Sequence, residues 1–590
     1  VSTLGSHLKS RHDIIEDAIR RIPALDTTAA GIVLGRSPYN GNVGDAEAVR
    51  RYHERTIHRP GQFAPGPGFI DWAHEPDPFR RYVGAPTVPL PLADLAHSPT
   101  WAALHEPGAV APSRRDRASL GAFFELALGL TAWKETSGAR WALRANPSSG
   151  NLHPTEGYLL VPEVPGVACG LYHYSCLDHV LERRCSPIPA SAGELSRWLP
   201  GRAFLVGLAS IHWREAWKYG ERAFRYCQHD IGHALAAIRY ASAVLGWAAR
   251  LLDAPGDEDV AAILGLDRED DVAELAPQDR ERPAALVVVA GPEEIDEATR
   301  SVEHRLDALR DLVRQGTWSG RPNALGSTHV AWPEMDAVAH ATLKPRTTGE
   351  RGGPGATATL AGRAGQVSAV GLIRQRRSAV AMDGVTSTPA SAFFSIMAGL
   401  VPQPRVPPWD VLAGAPAVQP LVCVHRVDSL TPGLYFLDRG ARQGLRESLA
   451  DSWLWQPCAA APDGLRLLLL EEGDVRRFAA LASCQQAIAG DSAFCIAMLA
   501  AFVDSLARAP WSYRRLFWES GVLGHALYME AEAHGLRGTG IGCFFDDVVH
   551  DALGLSGDRF KDLYHFTVGG AIDDPRLATR PAYGTDIARR

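Results

Sequence analysis

Two short stretches carry side chains suited to gripping one ligand between them. Pro147-Ser148-Ser149-Gly150-Asn151-Leu152-His153-Pro154 offers two hydroxyls, an amide that both donates and accepts, and an imidazole. Arg376-Arg377-Ser378, more than two hundred residues later, offers two guanidinium forks and a further hydroxyl. A guanidinium presents planar donors that match phosphate oxygens. A third stretch, Gly538-Thr539-Gly540-Ile541-Gly542, allows backbone to come close to a ligand without interference from Cβ. Taken singly, these read equally as a turn, a solvated helix start and a helix C-cap. Their weight comes from occurring together.

The elements that must position them are written twice. The first half contains ERAFRYCQHDIGHAL and the second SYRRLFWESGVLGHAL; aligning Gly232-His233 with Gly524-His525 places Arg222 on Arg514. GLYHYSC from Gly170 answers to GLYFLDR from Gly433, and ILGLDRED from Ile263 to ALGLSGDRF from Ala552. Each half closes on an apolar strand-like run, ALVVVAG or YHFTVGGA. Four matches in one order indicate a fused duplication. Apolar or small residues at Cys227, Ile231, Leu235, Ile238, Ser242 and Leu245 predict an amphipathic helix, and Val522, Ala526, Met529 and Ala533 its counterpart. Runs such as YLLVPEV, LVCVHRV and LRLLLLEE predict strands.

The expected fold class is therefore α+β: two mixed helix-and-sheet domains packed as an intramolecular pseudo-dimer. Residues 1–100 are expected to form a helix-and-loop extension packing on the first domain, 101–342. An exposed linker rich in Gly, Thr and Ala follows over 343–367, then a second domain over 368–590.

Composition narrows the class of function. The chain has 590 residues, 46% hydrophobic and 22% charged, with 60 basic and 67 acidic side chains. A net charge of −7 without a basic tract argues against nucleic acid or an anionic membrane as an obligate partner. No segment approaches the ~20 apolar residues of a membrane span. The first residues, VSTLGSHLKSRHDIIEDAIRR, lack the apolar centre of a signal peptide. Nine cysteines without a Cys-x-x-Cys pair suit free thiols in a reducing cytoplasm, and no metal site is expected.

With these motifs in hand, the chain resembles the nitroreductase-like FMN flavoproteins, and more narrowly their SagB-type dehydrogenase branch. Residues 147–154 resemble that superfamily's Pro-Ser-Ser-x-Asn-x-Gln-Pro segment, with His153 at the Gln position. Residues 376–378 resemble its Arg-Arg-Ser motif, and GTGIGCFFDDVVHDALGL its Gly-rich loop and short helix. YHERTIHRPGQF from Tyr52 and WKYGERAFRY from Trp217 resemble SagB-type sequences. The resemblance implies FMN at the interface of two subunits, with Arg-Arg-Ser and the Gly-rich loop from one and Pro-Ser-Ser-x-Asn from the other. Here the first half carries one set and the second half the other. In the reciprocal positions stand LGWAARLLDAPGDEDV and LAGAPAVQPLVCV, so one complete site per chain is expected.

The resemblance assigns roles that suit the residue types. Arg376, Arg377 and Ser378 would meet the phosphate, joined by Arg576 or Arg580 beyond the last strand. Val380 stands where many relatives have another basic residue. Gly540, Ile541 and Gly542 would bring a backbone N–H against flavin N5. Pro147, Ser148, Ser149 and Asn151 would shape and bond the ring, with His153 as a hydrogen-bonding or pH-sensitive neighbour. Lys218-Tyr219 matches a Lys-Tyr pair that azoline dehydrogenases use; the ammonium would favour a phenolate, making Tyr219 a base. Adjacent helical residues diverge by about 100°, so only one of the two would handle the proton. Pro510-Trp511 occupies the aligned place in the second half. His233 and His525, aligned with each other, are expected to serve packing or capping. The loops HRPGQF and WAHEPDPFRRY could cover the site.

The implied activity is oxidation of a modified amino acid, peptide or similar natural-product intermediate, with oxygen as the final acceptor. The alternatives are an NAD(P)H-dependent reductase of nitro, quinone or alkene substrates, and a non-catalytic flavin- or peptide-binding scaffold.

Overall fold

The computed structural model describes residues 44–349, 366–440, 444–449 and 453–584; the expected N-terminal amphipathic stretch and most of the expected linker lie outside them. Six strands build the first sheet: β1 (Thr155–Val161), β2 (Gly170–Ser175), β3 (Val180–Ser186), β4 (Phe204–Ser210), β5 (Ala248–Leu251) and β6 (Arg282–Ala290). Six more build the second: β7 (Val418–Val424), β8 (Gly433–Leu437), β9 (Leu467–Glu472), β10 (Phe494–Ala501), β11 (Arg537–Ile541) and β12 (Phe560–Gly569). Their spatial orders are β3-β2-β1-β4-β6-β5 and β9-β8-β7-β10-β12-β11, all antiparallel, with short edge strands added outside β3 and β9. One topology is drawn twice.

The central strands are apolar at nearly every position rather than alternating, and β1 and β7 are buried throughout. Each sheet is covered on both faces, so the polar side chains that it buries must be paired. One contiguous core between the sheets joins Phe123, Phe204 and Trp247 of the first half to Phe393 and Phe494 of the second. Smaller clusters seal the outer faces.

Helices α1 (Asp45–Arg55), α2 (His212–Tyr219), α3 (Ala223–Val244), α4 (Asp257–Leu264), α5 (Ser512–Ala533) and α6 (Asp546–Leu553) position the site. α3 is buried on every side, polar flank included, so it is not the one-faced amphipathic helix its apolar stripe predicts. Its polar flank faces α5 and the site instead of water. The two helices meet where Gly232 lies against Trp518 O and Gly521 against His229 O; a Cβ at either glycine would overlap that carbonyl. Arg225 pairs with Asp546 at 2.6 Å, and Arg514 with Asp257 at 2.8 Å. These relations exchange when equivalent positions are spaced by 289 residues, 232 with 521 and 257 with 546.

That spacing corrects the Gly-His alignment by about one helical turn. His233 is equivalent to Val522, His525 to Ala236, and Lys218-Tyr219 to Ala507-Arg508. The repeated dipeptide is a coincidence of letters; the true equivalence is set by the glycines that let the backbones touch.

Both chain ends depart from the expected domain plan. α1 and the loop after it straddle the halves: Tyr52 Oη donates to Glu221 O at 2.6 Å, while His58 N–H donates to Asp546 Oδ2 at 2.8 Å. The extension thus packs on both domains, because its carbonyls cap Arg222 and Arg225 at their seam. The tail strand Ala578–Arg580 pairs with Leu130–Thr136 of the first half, which forms a hairpin with Ala139–Arg144. The linker's first residues are largely exposed, as expected, yet anchored: Lys344 N–H donates to Asp257, and Arg346 pairs with Asp259 and Asp307. Among the described residues, no helix is long and apolar enough to cross a membrane.

A buried polar cluster stitches β1, β2 and β3 together. His173 Nδ1 lies 2.8 Å from Glu182 and Nε2 3.2 Å from Glu156, which also holds Arg214. Burial alone would lower the His173 pKa, but hydrogen bonds to Glu156 and Glu182 raise it to about 9. A raised pKa stabilises the fold fully below the unfolded value of about 6.5 and ceases to do so as pH climbs through about 9. The destabilisation caused by His173→Gln should therefore shrink by about 2–3 kcal/mol between pH 6 and pH 10, read from urea midpoints. A constant difference across that range would contradict a charged His173.

Candidate functional site

The loop from Pro147 to His153 leaves the hairpin strand Ala139–Arg144 and turns sharply, with Gly150, Asn151 and His153 all at positive φ (58°, 61° and 54°). Gly150 is required there twice over, since a Cβ would also overlap the Tyr219 hydroxyl. The loop braces itself. Asn151 Nδ2 donates to Ala142 O at 2.9 Å, its Oδ1 lies 3.0 Å from His153 Nε2, and Ser148 Oγ accepts from His153 N–H at 2.8 Å. Ser149 donates through N–H and Oγ to Asp230 on α3.

Arg376 ends a short helix, Ala369–Gln375, and crosses to the first half, where Nη2 donates to Arg144 O at 3.0 Å. Its guanidinium stands 5.0 Å from the centre of the Tyr528 ring. Arg377 donates to Thr131 of the first half and to two carbonyls of its own turn. The following residues zip onto β11, with Ala379 N–H donating to Gly538 O and Thr539 Oγ1 to Ala379 O. Tyr528 ties the pieces, bonding Ser378 Oγ at 2.9 Å and accepting from Gly540 N–H at 3.0 Å.

All three segments line one cleft of about 930 Å³ between the halves. Pro147, Ser148, Ser149, Asn151, His153, Arg376, Arg377, Ser378, Gly540, Ile541, Gly542 and Tyr219 border it. Such a volume suits a ligand of cofactor size. Lys134 and Arg537 add positive charge to the lining, while Asp573 and Asp574 supply the acidic side. Burial, then the neighbouring charges of Arg376 and Arg537, pull the Arg377 pKa down to about 10. Arg376 is lowered by its own burial, and its Nε is buried without a hydrogen-bond partner. Crowded, under-compensated guanidiniums are the donor set that a phosphate would neutralise, so the lining fits FMN.

Several assignments are corrected by the geometry. Arg576 and Arg580 do not border the cleft; they face solvent, 83% and 62% exposed, and pair with Asp574 and Glu135. The tail's pairing with Leu130–Thr136 sends Asp574, Leu577 and Thr579 inward in their place. Lys218 also lies off the cleft, with its ammonium 5.8 Å from the Trp72 ring centre. Tyr219 is no phenolate: burial, then Glu215 and Tyr226, push its pKa well above the ordinary value. His153 cannot titrate near neutrality, because burial and Arg144 hold its pKa well down. Gly540 and Gly542 are demanded by neighbouring rings, since a Cβ would overlap the Tyr564 hydroxyl or crowd the Tyr226 ring. The Gly540 N–H expected at N5 is already bonded to Tyr528. The loop WAHEPDPFRRY does not line the cleft; it packs behind it, where Pro78 O accepts from Arg144 and Trp72 stands edge-on to Trp217.

Other residues at the site escape a linear reading. Tyr226, Tyr528 and Tyr564 wall the cleft. Glu215 and Asp230 are fully buried behind the Pro147–His153 loop. Burial, then Asp230, raises the Glu215 pKa well above its ordinary value. The traces they leave are slight: Glu215 stands four residues before Tyr219, and Asp230 interrupts an apolar stripe.

The reciprocal seam holds a cleft of about 1180 Å³ with a different lining. At the 289-residue spacing, Leu251 and Asp253 replace Gly540 and Gly542. Asp253 is engaged by Arg515 at 2.9 Å, and an Arg239–Asp410 ion pair borders the space.

No family model and no curated relative matches the sequence. A solved structure of a candidate nitroreductase from Anabaena variabilis superimposes with a TM-score of 0.61 at 21% identity, covering 89% of this chain and 99% of that one. The fold is that of the nitroreductases. A candidate nitroreductase from Ralstonia eutropha covers 37% of this chain and 90% of its own, at 14% identity and a TM-score of 0.25. The E. coli microcin synthetase complex with truncated pro-MccB17 bound overlaps 34% of this chain and 70% of its own, at 13% identity and a TM-score of 0.25. The Anabaena match spans both sheets, so the chain holds two nitroreductase-like domains packed as a pseudo-dimer.

Proposed function

We propose that this chain is an FMN-dependent oxidoreductase, a tandem duplication that keeps one flavin site at the seam of its halves. The observation that carries this reading is the convergence of Pro147–His153, Arg376–Ser378 and Gly540–Gly542 on one cleft with a cationic wall. Arg376 and Arg377, with Arg537 and Lys134 beside them, would hold the phosphate. The serine-asparagine loop would support the ring. Flavin bound there supplies two-electron exchange, leaving the chain to orient the substrate and move a proton.

Tyr219 is the group placed to move it. Its hydroxyl abuts Gly150 at the cleft, and its phenol is neutral at physiological pH. Near it lie two further buried acids: Glu215, whose pKa burial and Asp230 raise well above its ordinary value, and Asp230, which accepts from Ser149. Oxidation of a modified amino acid or peptide of azoline type is the reading we favour, supported by the SagB-like segments around Tyr52 and Trp217. Tyr219 in its neutral form is equally a proton donor, which favours an NAD(P)H-dependent reductase as the second reading.

Anaerobic mixing separates them. Bleaching of the bound flavin by an azoline peptide but not by NADPH supports the dehydrogenase, and the converse supports the reductase. Protein that cannot be loaded with FMN contradicts both and leaves the scaffold. Tyr219→Phe should keep flavin affinity within about twofold while turnover falls about 100-fold, the scale of a lost general acid–base; unchanged turnover removes Tyr219 from the chemistry.

A further inference from the structure

Cys543 Sγ lies 3.0 Å from Cys484 Sγ, and both residues are only partly buried. Two loops bring them together. Cys543 follows Gly542 after β11, on the wall of the cleft. Cys484 follows the helix Arg476–Ala482 and sits at φ 53°, with Gln485 at φ 60°. Consecutive left-handed residues that are not glycine are uncommon and persist only where surrounding bonds hold them. Those bonds are present. Gln486 Nε2 donates to Ser483 O and Cys543 O, each at 2.8 Å, and Phe545 N–H donates to Ala482 O at 2.8 Å.

The surroundings favour a thiolate on one sulfur. Interaction with Cys484, then the neighbouring His58, draws the Cys543 thiol down from its ordinary value. His58 Nδ1 accepts from Ala64 N–H at 2.9 Å, which leaves the proton of the neutral ring on Nε2. Arg222, which donates to Gly542 O, adds positive charge nearby. Cys484 is pushed the opposite way by the same partner. An attacking thiolate beside a resolving thiol is the arrangement for thiol–disulfide exchange. Cys423 and Cys495 supply the contrast: they face each other across β7 and β10, but burial pushes both thiols up.

We propose that Cys484 and Cys543 form a redox-active dithiol whose substrate is a low-molecular-weight disulfide of the glutathione class. The Cys543 thiolate attacks one sulfur of RSSR; the S–S bond breaks, a Cys543–S–S–R bond forms and RS⁻ leaves. Cys484, deprotonated as it attacks, then displaces the second RS⁻ from the Cys543 sulfur. One thiolate and one thiol become one disulfide, RSSR becomes two RSH, and the Cys484 proton, with one from solvent, ends on the leaving groups. Nothing in this step depends on the flavin reading.

The test uses the full chain in stepped ratios of reduced to oxidised glutathione, acid-quenched, alkylated and read by intact mass and peptide mapping. Two of the nine thiols should vanish together, with a cross-linked peptide pair joining Cys484 to Cys543. C484S should stop at one glutathionyl group on Cys543, C543S should leave Cys484 unmodified, and C423S should oxidise like the parent. In the reduced parent at pH 6, iodoacetamide should label Cys543 about tenfold faster than Cys169, as thiolate content dictates. Both sulfurs remaining alkylatable at the most oxidising ratio would overturn the proposal, as would a mixed disulfide that persists in the parent. Equal labelling of Cys543 and Cys169 would do the same.

Discussion

Arg376→Ala should weaken FMN binding about 100-fold or more, because a buried charge-assisted phosphate contact is worth about 2–5 kcal/mol when one partner is removed. Arg376 is 4% exposed and reaches across the seam to Arg144 O, so its position is fixed by burial and by both halves. Arg576→Ala and Arg580→Ala are the matched controls. Both side chains face solvent and are paired elsewhere, and their loss should change the affinity by less than about twofold. Fluorescence titration of apoprotein with FMN reads all three. Equal losses would mean that the tail carries the phosphate as much as Arg376 does.

Asp546→Ala should be the most destabilising change at the seam. One carboxylate at the start of α6 accepts from Arg222 at 2.9 Å, Arg225 at 2.6 Å and the His58 N–H at 2.8 Å, all fully buried. Removing it strands two cations in the core and leaves the His58 N–H without its acceptor; about 3–5 kcal/mol is expected in chemical denaturation. Asp257→Ala, at the equivalent position, strands one cation, Arg514, with the Lys344 N–H, and should cost less. A loss under about 1 kcal/mol for Asp546→Ala, or the reverse order, would show that the seam is held by its apolar core alone.

How much of this is legible in the sequence follows from how local each feature is. The Pro147–His153, Arg376–Ser378 and Gly540–Gly542 segments are contiguous, so their chemistry can be read without knowing the fold, and their division between halves already places them at a seam. The strand-like runs are equally plain. Arg576 and Arg580 misread because their direction depends on a tail strand that pairs with residues more than four hundred positions away. Glu215 and Asp230 are carboxylates on helices, which ordinarily face water; only the folded packing buries them, with the Pro147–His153 loop closing over Asp230. The Gly-His dipeptide misaligns the halves because letter identity is blind to which glycine touches the opposite backbone.

The most direct measurement is the flavin-to-chain ratio of protein reconstituted with excess FMN and desalted, read from absorbance against quantified protein. The account predicts about one FMN per chain, lost in Arg376→Ala and retained when Leu251 or Asp253 of the reciprocal seam is substituted. A ratio near two, or flavin that survives Arg376→Ala but leaves on substitution of the reciprocal seam, would contradict it.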